Sequence, residues 1–170
     1  MNDAPNTIAR WMTWISWFIF LALLTLFFNE EIANWQNPNR DVTANATPHD
    51  KLVTLRRNKS GHYVANGLIN NQNVVFIIDT GASDVSVPLK VAQRLNLAKG
   101  SPVRYTTANG IVTGYLTTLD SVQLGNITLR NIRGGINPGM KGEYVLLGMT
   151  FLKQLEFTQR GNELTLKVYQ

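Results

Sequence analysis

Two kinds of hydrophobic patterning divide the chain. Trp11 to Phe28 (WMTWISWFIFLALLTLFF) is 18 residues without a charge, broken only by Thr13, Ser16 and Thr25. At about 1.5 Å per residue a helix of this length reaches about 27 Å, close to the hydrocarbon thickness of a bilayer. A helix apolar on all sides at the N-terminus has little to pack against as a soluble core element. Trp11, Trp14 and Trp17 crowd its start and Trp35 lies beyond its end, as interfacial aromatics do. No small-x-small cleavage site follows Phe28, so the stretch reads as an uncleaved signal anchor, with residues 1–10 as a short tail before it. Arg10 directly precedes the span and the next basic residue is Arg40. That asymmetry favours a cytoplasmic N-terminus. The expectation is a single-pass membrane protein with its main domain outside the cytoplasm, in the periplasm if the cell is a Gram-negative bacterium.

Residues 29–50 (NEEIANWQNPNRDVTANATPHD) are rich in Asn, Asp, Thr and Pro without sustained periodicity and read as a linker. From Lys51 the pattern becomes short alternating segments. Strands are predicted at 52–57, 62–70, 73–79, 84–87, 102–108, 111–119, 121–124, 127–137, 143–147, 155–158 and 163–169. Turn signals separate them at Asn70-Asn71, Asn109-Gly110, Gly125-Asn126, Pro138-Gly139 and Gly161-Asn162. Only Leu89–Leu97 has helical spacing, with Pro88 at its start. Residues 51–170 are thus expected to form one mostly-β domain with a single short helix.

Composition narrows the chemistry. With 44% hydrophobic and 16% charged residues the chain is that of a folded protein. It has no cysteine, which excludes disulfides, thiolate nucleophiles and Cys-ligated zinc. Residues 1–50 hold two basic against five acidic residues, and residues 51–170 hold fourteen against six. The basic residues are scattered, with no run longer than Arg56-Arg57, so they read as a solvated surface and no nucleic-acid partner is expected. His49 and His62 lack metal-ligand spacing, and the turn clusters at Gly100 and Gly134 open no helix that could cradle phosphate. Neither a metal nor a cofactor is predicted.

One residue resists the pattern. Val74 to Ile78 is apolar on both faces, and Asp79 follows it. A carboxylate emerging from a core must be paired, hydrogen-bonded or protonated. Asp79-Thr80-Gly81 alone reads as a structural turn, but two further segments accompany it. Val145 to Leu152 (VLLGMTFL) is an apolar run carrying Gly148, and Thr106 to Tyr115 (TTANGIVTGY) is a candidate hairpin with Asn109-Gly110 as its turn. Short, polar and glycine-bearing, that hairpin suits a mobile cover.

This combination resembles the retropepsin-like aspartic proteases, in particular their bacterial membrane-anchored, single-domain members, over roughly residues 55–168. The resemblance implies a closed β-barrel in which Leu146, Leu147 and Gly148 support an active-site loop of Thr80, Gly81, Ala82 and Ser83, with Asp79 catalytic. It makes Ala108, Asn109, Gly110 and Ile111 a flap over the substrate, places Ser83 and Asp84 near the substrate backbone, and assigns subsites to Ile111, Val112 and some of Val85 to Val87. Ala82 stands where pepsin-like motifs often carry a serine whose hydroxyl favours the ionised carboxylate. Its absence implies an activity optimum less acidic than pepsin's.

Asp79-Thr80-Gly81 occurs once; Asp120, Glu143, Glu156 and Glu163 all lack its context. One motif supplies half an active site, so the resemblance implies a homodimer with two copies of Asp79 on the two-fold axis. The implied function is a membrane-anchored aspartic endopeptidase that hydrolyses peptide or protein substrates through a water activated by the paired carboxylates. The alternatives are an inactive peptide-binding or dimerisation module on the same fold, and a purely structural tethered β-domain.

Overall fold

The computed structural model describes residues 4–42, 51–107 and 110–168. The chain divides into two units between Trp35 and Gln36.

The first unit is a single helix, α1 (Ala4–Gln36). Within its span Ala9–Gln36 an 18-residue window has a mean hydropathy of 1.9 and none of it buried, long and apolar enough to cross a membrane. The three polar breaks do not spoil it. Thr13 Oγ1 donates to the Ala9 carbonyl (2.9 Å), Ser16 Oγ to Met12 (2.9 Å) and Thr25 Oγ1 to Leu21 (2.6 Å). Each hydroxyl thereby satisfies its donor inside the helix, as hydrocarbon surroundings demand. The helix runs past Phe28 through Glu30 and Glu31 to Gln36, into the stretch expected as linker.

Among the described residues the second unit forms ten strands and two short helices. These are β1 (Leu52–Arg56), β2 (Val64–Ile69), β3 (Gln72–Ile78), β4 (Val85–Pro88), α2 (Leu89–Arg94), β5 (Pro102–Thr107), β6 (Gly110–Leu124), β7 (Ile127–Asn137), β8 (Tyr144–Leu147), α3 (Met149–Leu152), β9 (Leu155–Arg160) and β10 (Glu163–Val168). Six strands follow the order β2-β3-β8-β4-β7-β6, and β6 returns to β2 through Leu68↔Gln123 and Ile69↔Val122. The ring is a closed barrel without exposed edges of its own. Alternation along its strands turns Phe76, Leu119, Leu124, Ile136, Val145 and Leu147 into a fully buried interior. A separate three-stranded sheet, β1-β10-β9, completes the unit.

The longest strand does two jobs. Tyr115–Leu124 of β6 pairs with β7 in the barrel wall, whereas Gly110–Tyr115 pairs with β5 to make a two-stranded arm. β6 runs through the expected break as one strand, but its register with β7 skips exposed Asp120 and the facing Asn131, which is in the left-handed region (φ 52°). Pairing in the arm extends to Thr107↔Gly110, so Gly110 belongs to the strand and not to the turn; Ala108 and Asn109 lie outside the described residues. Helix α2 stops earlier than the spacing suggests, followed by Asn96 in the left-handed region (φ 54°). Helix α3 was not anticipated: its four residues follow Gly148 directly.

Asn37–Val42, inside the expected linker, belongs to the β unit. Asn39 is 1% exposed. Its Nδ2 donates to the carbonyls of Arg56 (2.9 Å) and Val64 (2.7 Å), and its Oδ1 accepts from the Arg56 N–H (2.7 Å). Asn37 Nδ2 donates to Asn66 Oδ1 (2.9 Å), and Val42 enters the core beside Gly125. An asparagine-rich stretch without hydrophobic periodicity thus acts as a strap, held by side-chain amides instead of a ladder.

Candidate active site

The parallel pairing of β3 with β8 ends at Ile78↔Leu147, and Asp79 carries it one step further by donating its N–H to the Leu147 carbonyl (3.2 Å). Beyond it the loop is fastened to the start of α3. Met149 N–H donates to the Ala82 carbonyl (2.8 Å) and Thr150 N–H to Ser83 (3.1 Å). Thr150 Oγ1 accepts from the Val85 N–H (3.1 Å) and donates to the Arg133 carbonyl (2.8 Å), joining β4, β7 and α3. Gly148 is a close-approach residue: a Cβ there would run into the carbonyl oxygens of Ala82 and Asp84. Leu147 and Gly148 therefore lie against the Asp79 loop, whereas Leu146 pairs with Ile77 of β3 and Ser86 of β4.

Asp79 is half-exposed, flanked by exposed Thr80, Gly81 and Ser83 and half-buried Ala82. This corrects the expectation of an acid emerging from a core: Val74 and Phe76 of β3 are buried, but Ile77 and Ile78, next to Asp79, are only half-buried. One carboxylate oxygen, Oδ1, accepts the Gly81 N–H at 2.9 Å, and a Cβ on Gly81 would stand 3.2 Å from the same oxygen. The loop thus aims the carboxyl group outward with its orientation set by its own backbone. A cavity of about 290 Å³ adjoins Thr80, lined also by Tyr63, Ile78, Leu152 and Phe157, the last 47% exposed.

The buried acid of this region is Asp84, 5% exposed. Its Oδ1 accepts from Arg133 Nη2 (2.7 Å) and Nε (2.8 Å), and its Oδ2 accepts from the Tyr105 hydroxyl (3.2 Å). Burial, followed by the Asp84 charge and hydrogen bond, pushes the Tyr105 phenol up to about 12. Asp84 is thus committed to the protein and is not presented to a substrate backbone. Val85 and Val87 are fully buried and cannot line a subsite; Ser86 between them donates to Met140 Sδ (3.1 Å). On the arm, Ile111 is 71% exposed and Val112 is half-buried. Tyr105, Arg133 and Thr150 were missed from sequence because none neighbours the motif in the chain.

A closed barrel presenting an aspartate in a glycine-bearing loop, with a hairpin arm extending from its wall, defines the aspartic protease class of fold. The gag-polyprotein putative aspartyl protease family matches residues 65–154. Among curated proteins, one in the cobV 5'region of Sinorhizobium sp, uncharacterized, is 28% identical over 98% of this chain and 74% of its own length. An uncharacterized protein of Rickettsia prowazekii (strain Madrid E) is 35% identical over 61% of this chain, which spans 46% of that protein. Among solved structures, a retropepsin-like aspartic protease from Rickettsia conorii superposes with a TM-score of 0.56 at 30% identity, covering 69% of this chain and 90% of that one. The chain belongs to the retropepsin-like aspartyl protease family.

Proposed function

We propose that this chain is a membrane-tethered aspartic endopeptidase, active as a homodimer in which two copies of Asp79 form the catalytic pair. One observation carries the reading: Asp79 stands half-exposed at the end of a barrel strand, oriented by Gly81 and fastened through α3, while the other acid of the loop, Asp84, is spoken for. Among the described residues no second acid of the same chain pairs with this carboxyl group, and a two-fold axis would supply one. The surface beside it suits the purpose, since exposed Thr80, the adjoining cavity and half-exposed Phe157 form an apolar face around the loop.

Two carboxylates held close together cannot both ionise cheaply, so the pair shares one proton. The ionised member takes a proton from a water lying between them, and that water's oxygen attacks the scissile carbonyl carbon. The protonated member gives its proton to the carbonyl oxygen, forming a tetrahedral diol. Collapse returns the carbonyl, breaks the C–N bond and delivers a proton to the leaving nitrogen. Gly81 N–H keeps each carboxylate oriented through these steps. The arm, with exposed Ile111 toward its tip, covers the substrate; Ala108 and Asn109 complete it by resemblance. Helix α1 anchors the enzyme with its N-terminus in the cytoplasm, and confinement to two dimensions raises the effective concentration of protomers.

The decisive experiment compares residues 36–170 of wild type with Asp79→Asn for oligomeric state and for cleavage of a random fluorogenic peptide library between about pH 3 and pH 8. Cleavage by a wild-type dimer, lost in Asp79→Asn with the dimer intact, is expected. A folded dimer that binds peptides and cuts none would identify a binding module instead. Reporter fusions at either terminus test the orientation.

A further inference from the structure

Tyr105 lies in β5, the outer strand of the arm, and reaches far from it. Its ring passes over Gly114 of β6 and on to Gly135 of β7. A Cβ on Gly114 would stand 2.9 Å from Tyr105 Cε2, and a Cβ on Gly135 would clash with the Tyr105 hydroxyl. Two bare backbone positions on adjacent strands thus form a seat that only an unsubstituted surface provides. At the end of the seat the hydroxyl meets Asp84 Oδ2 at 3.2 Å.

The contact answers a need of Asp84. Its carboxylate is almost wholly buried, and both nitrogens of Arg133 that reach it bond the same oxygen, Oδ1. The second oxygen needs a donor of its own, because an unmet acceptor on a buried charge is costly. Tyr105 supplies it, and does so from the arm. β5 pairs in the sheet with β6 alone, so this side chain fixes the outer strand to the barrel. Asp84 in turn precedes β4 directly and is the last residue of the loop that begins at Asp79.

We propose that Tyr105 is a positioning residue, latching the root of the β5–β6 arm to the far end of the Asp79 loop so that cover and carboxylate keep one fixed spacing. This rests on the protease reading for its consequence, not for its geometry. The phenol, raised from 10.0 to about 12, stays a donor well beyond the pH range of the assay. A weakened latch lowers the fraction of molecules with the arm in place, and substrate affinity falls by that fraction while the bond-breaking step is untouched.

The test uses the full-length chain in detergent, comparing wild type, Tyr105→Phe and Gly135→Ala. Tyr105→Phe leaves the ring in its seat and removes only the hydroxyl; Gly135→Ala keeps the hydroxyl and evicts the ring. Amide hydrogen exchange is read in the arm (102–107 and 110–115) against the β1-β10-β9 sheet as internal control. Both variants should exchange about ten-fold faster in the arm and unchanged in the control sheet, the factor expected for one charge-assisted hydrogen bond. On the random fluorogenic peptide library, KM should rise several-fold, up to about ten-fold, with kcat within about two-fold. Unaltered arm exchange in Tyr105→Phe overturns the latch whether or not wild type cleaves, and so does faster exchange with unchanged KM. Should wild type bind peptide without cutting it, the protease reading fails, and Kd for the peptide takes the place of KM in judging the latch.

Discussion

Replacing Asn39 with alanine tests whether the strap is part of the fold or merely lies on it. Three side-chain hydrogen bonds disappear, to Arg56 N–H, the Arg56 carbonyl and the Val64 carbonyl. The Val64 carbonyl is buried and loses its side-chain partner outright, whereas the two Arg56 groups are part-buried and regain some bonding from water. At about 1–3 kcal/mol for a buried group left unpaired and about 0.5–1 for each recoverable bond, the loss comes to about 3 kcal/mol. That is a large share of a typical domain stability of about 5–15 kcal/mol. Asn39→Asp should be no better, because a carboxylate oxygen would face two carbonyl oxygens where an amide now donates to both. All four tryptophans lie in α1, so their fluorescence is silent on the β unit. Pulse proteolysis across a urea series reads it instead. A shift below about 1 kcal/mol in Asn39→Ala, with Asn39→Asp no worse, would refute the reasoning and return residues 37–42 to the status of a linker.

Two further outcomes follow from the site. Gly148→Ala forces a methyl group onto the carbonyls of Ala82 and Asp84, so the Asp79 loop must move; peptide cleavage should fall at least about ten-fold while the protein stays folded, the cost of overpacking being about 1–3 kcal/mol. Wild-type activity in that variant would mean the loop tolerates displacement. For Tyr105, the folded phenol holds its proton to about 12 against an ordinary value of 10.0. Its contribution to stability is therefore complete below pH 10 and lost as pH rises toward 12. Urea midpoints taken from pH 9 upward should fall more steeply in wild type than in Tyr105→Phe, and parallel curves would contradict the assignment.

The strands were legible because each alternates between short turn signals; the approach of Leu147 and Gly148 to the Asp79 loop was implied by the family resemblance, while the parallel pairing of β3 with β8 was not. What escaped the sequence is non-local or polar. Asp84, Tyr105 and Arg133 sit in three different elements, and nothing near any of them announces the other two. Asn37 and Asn39 carry no hydrophobic signal, since their grip depends on amide geometry alone. Asp79 was misjudged as emerging from a core because a strand apolar on both faces suggests burial on both. Here the face that carries Val75 and Ile77 is only half-buried, and on the other face the last residue, Ile78, borders the cavity beside Thr80 and Phe157.

The double employment of β6 sets a rule for how such chains can vary. Its pairing with β7 over Tyr115–Leu124 fixes where the arm starts, and its contact with β2 at Val122 and Gln123 fixes where the barrel shuts. Inserting or deleting one residue between those points would shift the strand by one on one side of the change and turn its buried residues there, Leu119 or Val122 among them, outward. Relatives can therefore gain or lose residues beyond Thr107 and Gly110, lengthening or trimming the cover, but the distance from its root to the closing strand is a gauge that evolution has to leave alone.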